Sequence, residues 1–221
     1  MEREVCLKSD KKRNKSELML NQCYIFCKHS KCFRAGGMQR FSKDRIEIRI
    51  ILRQPLPFYN LDLDWEQNTI LGDIEVIFTE CRHRSGRGLS DQMKTLWGAF
   101  VIKTPEGNIY FGGDSGYGSH YSETGENHGP FALALLPIGA YEPRWFMADV
   151  HLDPEESVRA HLDLGSRNSV GVHFGTFQLT YEGREDPERD LEVAIEKFGL
   201  EDGVFRVIDP GETLYWPRAA L

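Results

Sequence analysis

The chain reads as an α+β domain, and three observations carry that reading. Short apolar runs at Ile109-Tyr110-Phe111, Phe131 to Leu136 and Ser169 to Val172 each close on glycine and polar residues: Gly112-Gly113-Asp114, Gly139-Ala140-Tyr141-Glu142, and His173-Phe174-Gly175-Thr176. Two later segments carry helix signals at both ends. Between Ile74 and Phe111, alternating apolar stretches flank a turn built on Pro105 and Gly107. A continuous apolar run suits a strand buried on both faces, and the glycine after it lets the backbone turn and approach a ligand closely. Polar groups at such strand ends are where folds of this class build their sites.

Taken in order, residues up to about Asn60 show no sustained period except Arg45 to Leu52, where Ile46, Ile48 and Ile50 alternate with charged residues, which argues for one strand or none. Ile74 to Thr79 alternates like a half-buried strand. Leu96 to Lys103 and Asn108 to Phe111 form a hairpin about Thr104-Pro105-Glu106-Gly107. Asp153 caps a helix that begins at Pro154, carries Glu155 and Glu156 in its positive first turn and ends at Gly165, with Val158 and Leu162 on one buried face. A second helix has Asp186 as cap and Pro187 at its start. Its apolar stripe is Leu191, Ala194, Ile195 and Phe198, and Gly199 stops it. Val204 to Ile208 reads as a last strand before Pro210-Gly211. No internal repeat or low-complexity linker interrupts the chain.

With 221 residues and 40% hydrophobic content, the chain can bury a sizeable core. No apolar run nears the roughly 20 residues of a membrane-spanning helix, and the start lacks a signal-peptide core. A soluble, cytoplasmic protein is expected. The net charge of -7 hides a split, +8 over residues 1–54 and -15 over the remainder. Such a head reads as a solvated tail or as an arm for an anionic surface; nucleic acid is not the expected partner. Cys6, Cys23, Cys27 and Cys32 lie in it with His29, but no second pair follows at finger spacing, so they read as thiols of a reducing compartment rather than a zinc site.

The string Gly129-Pro130-Phe131 through Ile138-Gly139-Ala140-Tyr141-Glu142-Pro143-Arg144-Trp145-Phe146-Met147 resembles one family closely, with Gly113-Asp114-Ser115-Gly116-Tyr117 and His173-Phe174-Gly175-Thr176 as supporting words. It is the branch of the metallo-β-lactamase superfamily that acts as a phospholipase D on N-acylphosphatidylethanolamine. The likeness implies an αββα sandwich, here mainly its C-terminal half over residues 61–221, with residues 1–60 an unrelated basic extension. It implies that Asp114 bridges two zinc ions, that His83 binds the first and His173 the second, and that His151 orients or protonates the leaving group beside the phosphate. Tyr141 and Arg144 then fall to substrate binding, although an arginine fork suits a structural carboxylate equally well. Trp145, Phe146 and Met147 would line a lipid groove or fill core, with core the default. The implied substrate is a phospholipid or other phosphodiester, with peripheral membrane contact.

Two departures qualify these expectations. Arg82 and Arg84 flank His83 where the family has glutamine and tryptophan, and the family's His-x-His-x-Asp-His loop has no counterpart, since His29 is the only histidine before His83. Each metal would then keep two protein ligands, where zinc sites hold three or four, so weak zinc binding is expected. The chain reads as a truncated or rearranged member, with an inactive fragment or pseudoenzyme as the alternative. A lone sheet would also bare its inner face, favouring a homo-oligomer or a complementing chain.

Overall fold

The computed structural model describes residues 46–48, 61–86 and 88–209. Thirteen elements follow in chain order: β1 (Ile46–Ile48), β2 (Leu61–Leu63), β3 (Asn68–Leu71), β4 (Ile74–Thr79), β5 (Ala99–Thr104), β6 (Gly107–Phe111), α1 (His120–His128), β7 (Phe131–Pro137), α2 (Arg144–Met147), α3 (Pro154–Asp163), β8 (Ser169–Val172), α4 (Asp186–Phe198) and β9 (Phe205–Arg206). Seven of the strands form one sheet in the order β3-β4-β5-β6-β7-β8-β9, while β1 and β2 pair separately. From β3 to β6 the pairing is antiparallel, and from β6 to β9 it is parallel. The change falls where connections change character. Tight turns join β3 to β4 and β5 to β6, the long loop 80–98 joins β4 to β5, and helical crossovers, which parallel neighbours require, join the later strands.

Period-two alternation sorts the sheet's side chains onto two faces. Ile77, Val101, Tyr110, Ala134 and Leu136 meet Tyr121 of α1, Val158 and Ala160 of α3, and Leu191 and Ala194 of α4. Opposite lie Val76, Phe78, Phe100, Ile102, Ile109, Leu133 and Val170, joined by Leu63 and Trp65. This second face corrects the expectation of a bare inner surface, for Phe78 and Phe100 are fully buried and none of the seven sheet residues exceeds 8% exposure. One edge of its cover is β2 with the segment after it, where the Trp65 indole donates to the Trp97 carbonyl at 2.7 Å.

Helix α3 starts as its sequence indicates, with a capping box. Asp153 accepts from the Glu156 amide at 2.8 Å while the Glu156 carboxylate accepts from the Asp153 amide at 3.3 Å. Its buried face differs from the expected one, because Leu162 is exposed and His161 is buried against Ser169 and Phe205 instead. In α4 the cap position belongs to Glu185, and Asp186 is the first helical residue, its carboxylate taken by the Gly183 amide at 2.7 Å. Helices α1 and α2 carry no legible signal: α1 buries only Tyr121 and Thr124 and contains Gly125, and α2 is a single turn. The alternation at Ile46 and Ile48 does form a strand; Ile50, the thiols of the head and the rest of residues 1–45 and 49–60 lie outside the described residues.

Gly125 lets α1 approach α3, since a Cβ there would run into the Asp163 carbonyl. Gly125→Ala is therefore expected to lower stability by about 1–3 kcal/mol, read as a shift in urea midpoint at constant slope. Burial pushes the pKa of His161 down from 6.5 to about 4. Between those values the unfolded chain takes up a proton that the folded chain refuses. The stabilising contribution is thus complete above the unfolded value and is lost as pH falls through the window. Urea midpoints measured from pH 7 to pH 4 should fall more steeply for the parent chain than for His161→Gln.

Candidate metal centre at the sheet rim

Because β4 is antiparallel to β5 and β5 to β6, the strands β4, β6, β7 and β8 all run the same way and end at one rim. Each exit from that rim leads to one functional side chain. His83 follows β4, Asp114 follows β6, His151 follows β7 after the turn of α2, and His173 is the first residue past β8. One ligand atom from each of His83, Asp114 and His151 lies within 4.8 Å of the others. The Nε2 of His173 is 3.2 Å from Asp114 Oδ1. The His151 ring stands 5.4 Å, centre to centre, from both the His83 and the His173 rings.

Local backbone features hold these exits together. The buried Ser115 hydroxyl accepts from the Arg82 amide at 3.0 Å, and the Gly116 amide donates to the Arg82 carbonyl at 2.8 Å, tying the His83 segment to the Asp114 segment. Gly116 also permits the approach of the loop before His151, for a Cβ there would sit 2.6 Å from the Asp149 carbonyl carbon. Arg82 closes the same junction from outside, pairing with Asp149 at 2.6 Å and donating to the Tyr117 carbonyl at 2.9 Å. His151 is held through its own main chain: its carbonyl accepts from Arg144 at 3.0 Å and its amide donates to the Met147 carbonyl at 2.8 Å. His173 adopts a left-handed φ of +62°, a conformation that costs a non-glycine residue roughly 1–2 kcal/mol and here turns the imidazole toward Asp114. Glu182 clamps the exits of β7 and β8 together, its carboxylate accepting from the amides of Ala140 at 2.7 Å and Glu142 at 3.0 Å.

Burial works against the Asp114 charge, but the hydrogen bond and charge of His173, with His151 and His83 beyond, prevail and bring its pKa to about 2. For His173 burial favours the neutral ring, yet the bond to Asp114 outweighs it and raises the pKa. His151 goes the other way: burial, reinforced by the charge of His173, lowers it to about 4. Its Nδ1 is buried with no hydrogen-bond partner. Three imidazoles beside an ionised carboxylate form the donor set that zinc and similar divalent ions take, and a buried ring nitrogen with its lone pair uncommitted suits such a ligand. The residues fit a divalent ion.

The structure thus brings His83, Asp114 and His173 to one place and adds His151 to them. The expectation of two ligands per metal gives way to a group of three that includes His151. Its lowered pKa keeps His151 a neutral imidazole near pH 7, able to donate electrons or accept a proton. Tyr141 and Arg144 have internal partners. The Tyr141 hydroxyl donates to Asp190 at 2.6 Å, and the Arg144 guanidinium pairs with Glu156 at 2.6 Å and Asp153 at 3.3 Å. Of the two uses open to that fork, the structural one is seen. Trp145 and Phe146 are exposed rather than core, Trp145 by 86%. Ser115, Gly116 and Glu182 escape sequence reasoning because their work is done through backbone contacts, which leave no signature in spacing.

Residues 41–174 match the family described as the Beta-lactamase superfamily domain, a match that begins inside the segment set apart above as 1–60. An uncharacterised protein of Mycobacterium tuberculosis is 44% identical over 139 residues, 62% of this chain and 37% of the relative. The N-acyl-phosphatidylethanolamine-hydrolyzing phospholipase D 1 of Caenorhabditis elegans is 37% identical over 158 residues, 68% of this chain and 44% of the relative. The chain therefore spans less than half the length of either. Among solved structures, a metallo hydrolase from Ignicoccus hospitalis superposes with a TM-score of 0.54 at 24% identity, over 72% of this chain and 62% of that one, which is a likeness of fold.

Gly116→Ala should push the loop before His151 away from Asp114. The expected outcome is a loss of about 1–3 kcal/mol in stability together with at least about tenfold weaker zinc binding, measured by competition with a chromogenic chelator.

Proposed function

Because the chain belongs to the metallo-β-lactamase superfamily, we propose that it derives from a zinc-dependent hydrolase of phosphodiester bonds in phospholipids, with His83, Asp114, His151 and His173 holding the metal. The observation that carries this reading is the convergence of three imidazoles and one ionised carboxylate at the ends of same-direction strands. A zinc ion there supplies Lewis acidity toward a phosphoryl oxygen. The chain's own groups do the rest. Asp114 keeps a fixed negative charge at the centre, and His173 is turned onto it by its left-handed backbone. His151, uncharged at neutral pH, offers a lone pair on the same side.

Support for a lipid among phosphodiesters comes from the surface around the rim. Trp145 and Phe146 in α2 and Phe177, Leu179 and Tyr181 beyond β8 are all exposed, and the two segments are joined by Glu182 and by the Tyr181 amide to the Glu142 carbonyl at 3.4 Å. Phe177, Leu179 and Tyr181 lie within five residues of one another in an irregular segment that also exposes Gln178. Amphipathic aromatic rings of this kind favour the boundary between water and lipid. Peripheral contact with a membrane belongs to the same proposal; among the described residues no helix is long and apolar enough to cross one.

The reading is tested with purified chain and added zinc. Hydrolysis of bis(p-nitrophenyl) phosphate should rise with zinc to no more than one tightly held ion per chain, and Asp114→Ala should reduce it by more than about 100-fold, beyond the cost of losing an outer-shell partner. Zinc binding that depends on Asp114 without any turnover would favour the inactive-fragment alternative, which the missing His-x-His-x-Asp-His motif supports. Two tightly held ions per chain would overturn the expected stoichiometry.

A further inference from the structure

We propose that Arg84 is the anion-recognising residue of this rim, its guanidinium receiving the negatively charged phosphoryl group of the substrate beside the histidine cluster. The identity of the substrate rests on the hydrolase reading above; the place of the charge does not.

Among the described residues, three arginines belong to the segments that carry the cluster, and two of them are committed to the fold. Arg82 is held by Asp149 and the Tyr117 carbonyl, and Arg144 by Glu156, Asp153 and the His151 carbonyl. Among the described residues Arg84 forms no ion pair, and it is exposed. Yet its backbone is pinned on both sides. Before it, Arg82 bridges to Gly116 and the Ser115 hydroxyl. After it, the fully buried Ser85 donates through its hydroxyl to the Thr95 carbonyl at 2.6 Å and accepts at its own carbonyl from the Met93 amide at 2.7 Å. The Arg84 carbonyl itself lies 2.9 Å from Nδ1 of His83. A fixed backbone bearing an exposed arginine that forms no ion pair among the described residues, next in the chain to a cluster member, is how a recognition group is preorganised.

Electrostatics gives that cation a task. Asp114 contributes a carboxylate at the centre, and residues 55–221 carry a net -15, so an anionic ester meets repulsion on approach. A guanidinium offers paired N–H donors in a plane that matches two phosphoryl oxygens.

The test compares the full chain with Arg84→Ala and Arg84→Lys, each supplied with zinc and each checked for an unchanged melting temperature. Inorganic phosphate is titrated calorimetrically, and bis(p-nitrophenyl) phosphate is used for kinetics. Arg84→Ala should weaken phosphate binding and raise KM by about tenfold or more, with a smaller change in kcat, and Arg84→Lys should recover part of the loss because it keeps the charge without the fork. Equal phosphate affinity in the parent chain and Arg84→Ala, or no phosphate binding by either, overturns the inference. Should none of the proteins turn over the diester while Arg84→Ala still loses phosphate affinity, the anion site stands and the hydrolase reading falls.

Discussion

Strand direction is the constraint on which the arrangement depends. A carboxylate and three imidazoles scattered from residue 83 to residue 173 can meet only if the strands that deliver them end at the same rim, and the shift from antiparallel to parallel pairing at β6 secures this. Parallel neighbours oblige the chain to cross back over the sheet, and α1, α3 and α4 are what cross. The helices that complete the core are therefore a by-product of bringing the site together, and their packing against Val101, Tyr110 and Leu136 fixes the rim from below.

Above that frame the rim is fastened by main-chain contacts more than by side-chain pairs. Ser115, Gly116 and the Arg82 carbonyl join two exits, and Glu182 joins the other two through amides. Backbone fastening suits a site whose side chains must stay uncommitted. The buried Nδ1 of His151 has no hydrogen-bond partner, whereas Nδ1 of His83 meets the Arg84 carbonyl at 2.9 Å and leaves the other ring nitrogen for a metal.

How much of this was legible in the sequence follows from where the information resides. Strands β4 to β8 announce themselves because apolar runs and turn residues are local signals, and α3 does so through Asp153 and Pro154. His83, Asp114 and His173 are readable as strand-end residues, and a family likeness gave them partners. Nothing in spacing says that a loop leaving β7 folds back over Gly116 to bring His151 beside His83 and Asp114. The exposure of Trp145 was misjudged for a related reason: apolar character predicts burial only on average, and a single helical turn offers no periodicity to tell its two sides apart. Leu162 and His161 exchanged places because the helix is presented to β8 and Phe205 by tertiary packing.

Arg144 and Trp145 are chain neighbours with opposite obligations. The guanidinium of the first joins the cap of α3 to the main chain of His151, so one substitution there would loosen a helix start and a cluster member at once. The indole of the second is exposed to solvent, with the Phe146 ring beside it. Evolution could thus retune what the outer surface meets by altering one codon, while the codon beside it stays locked by architecture.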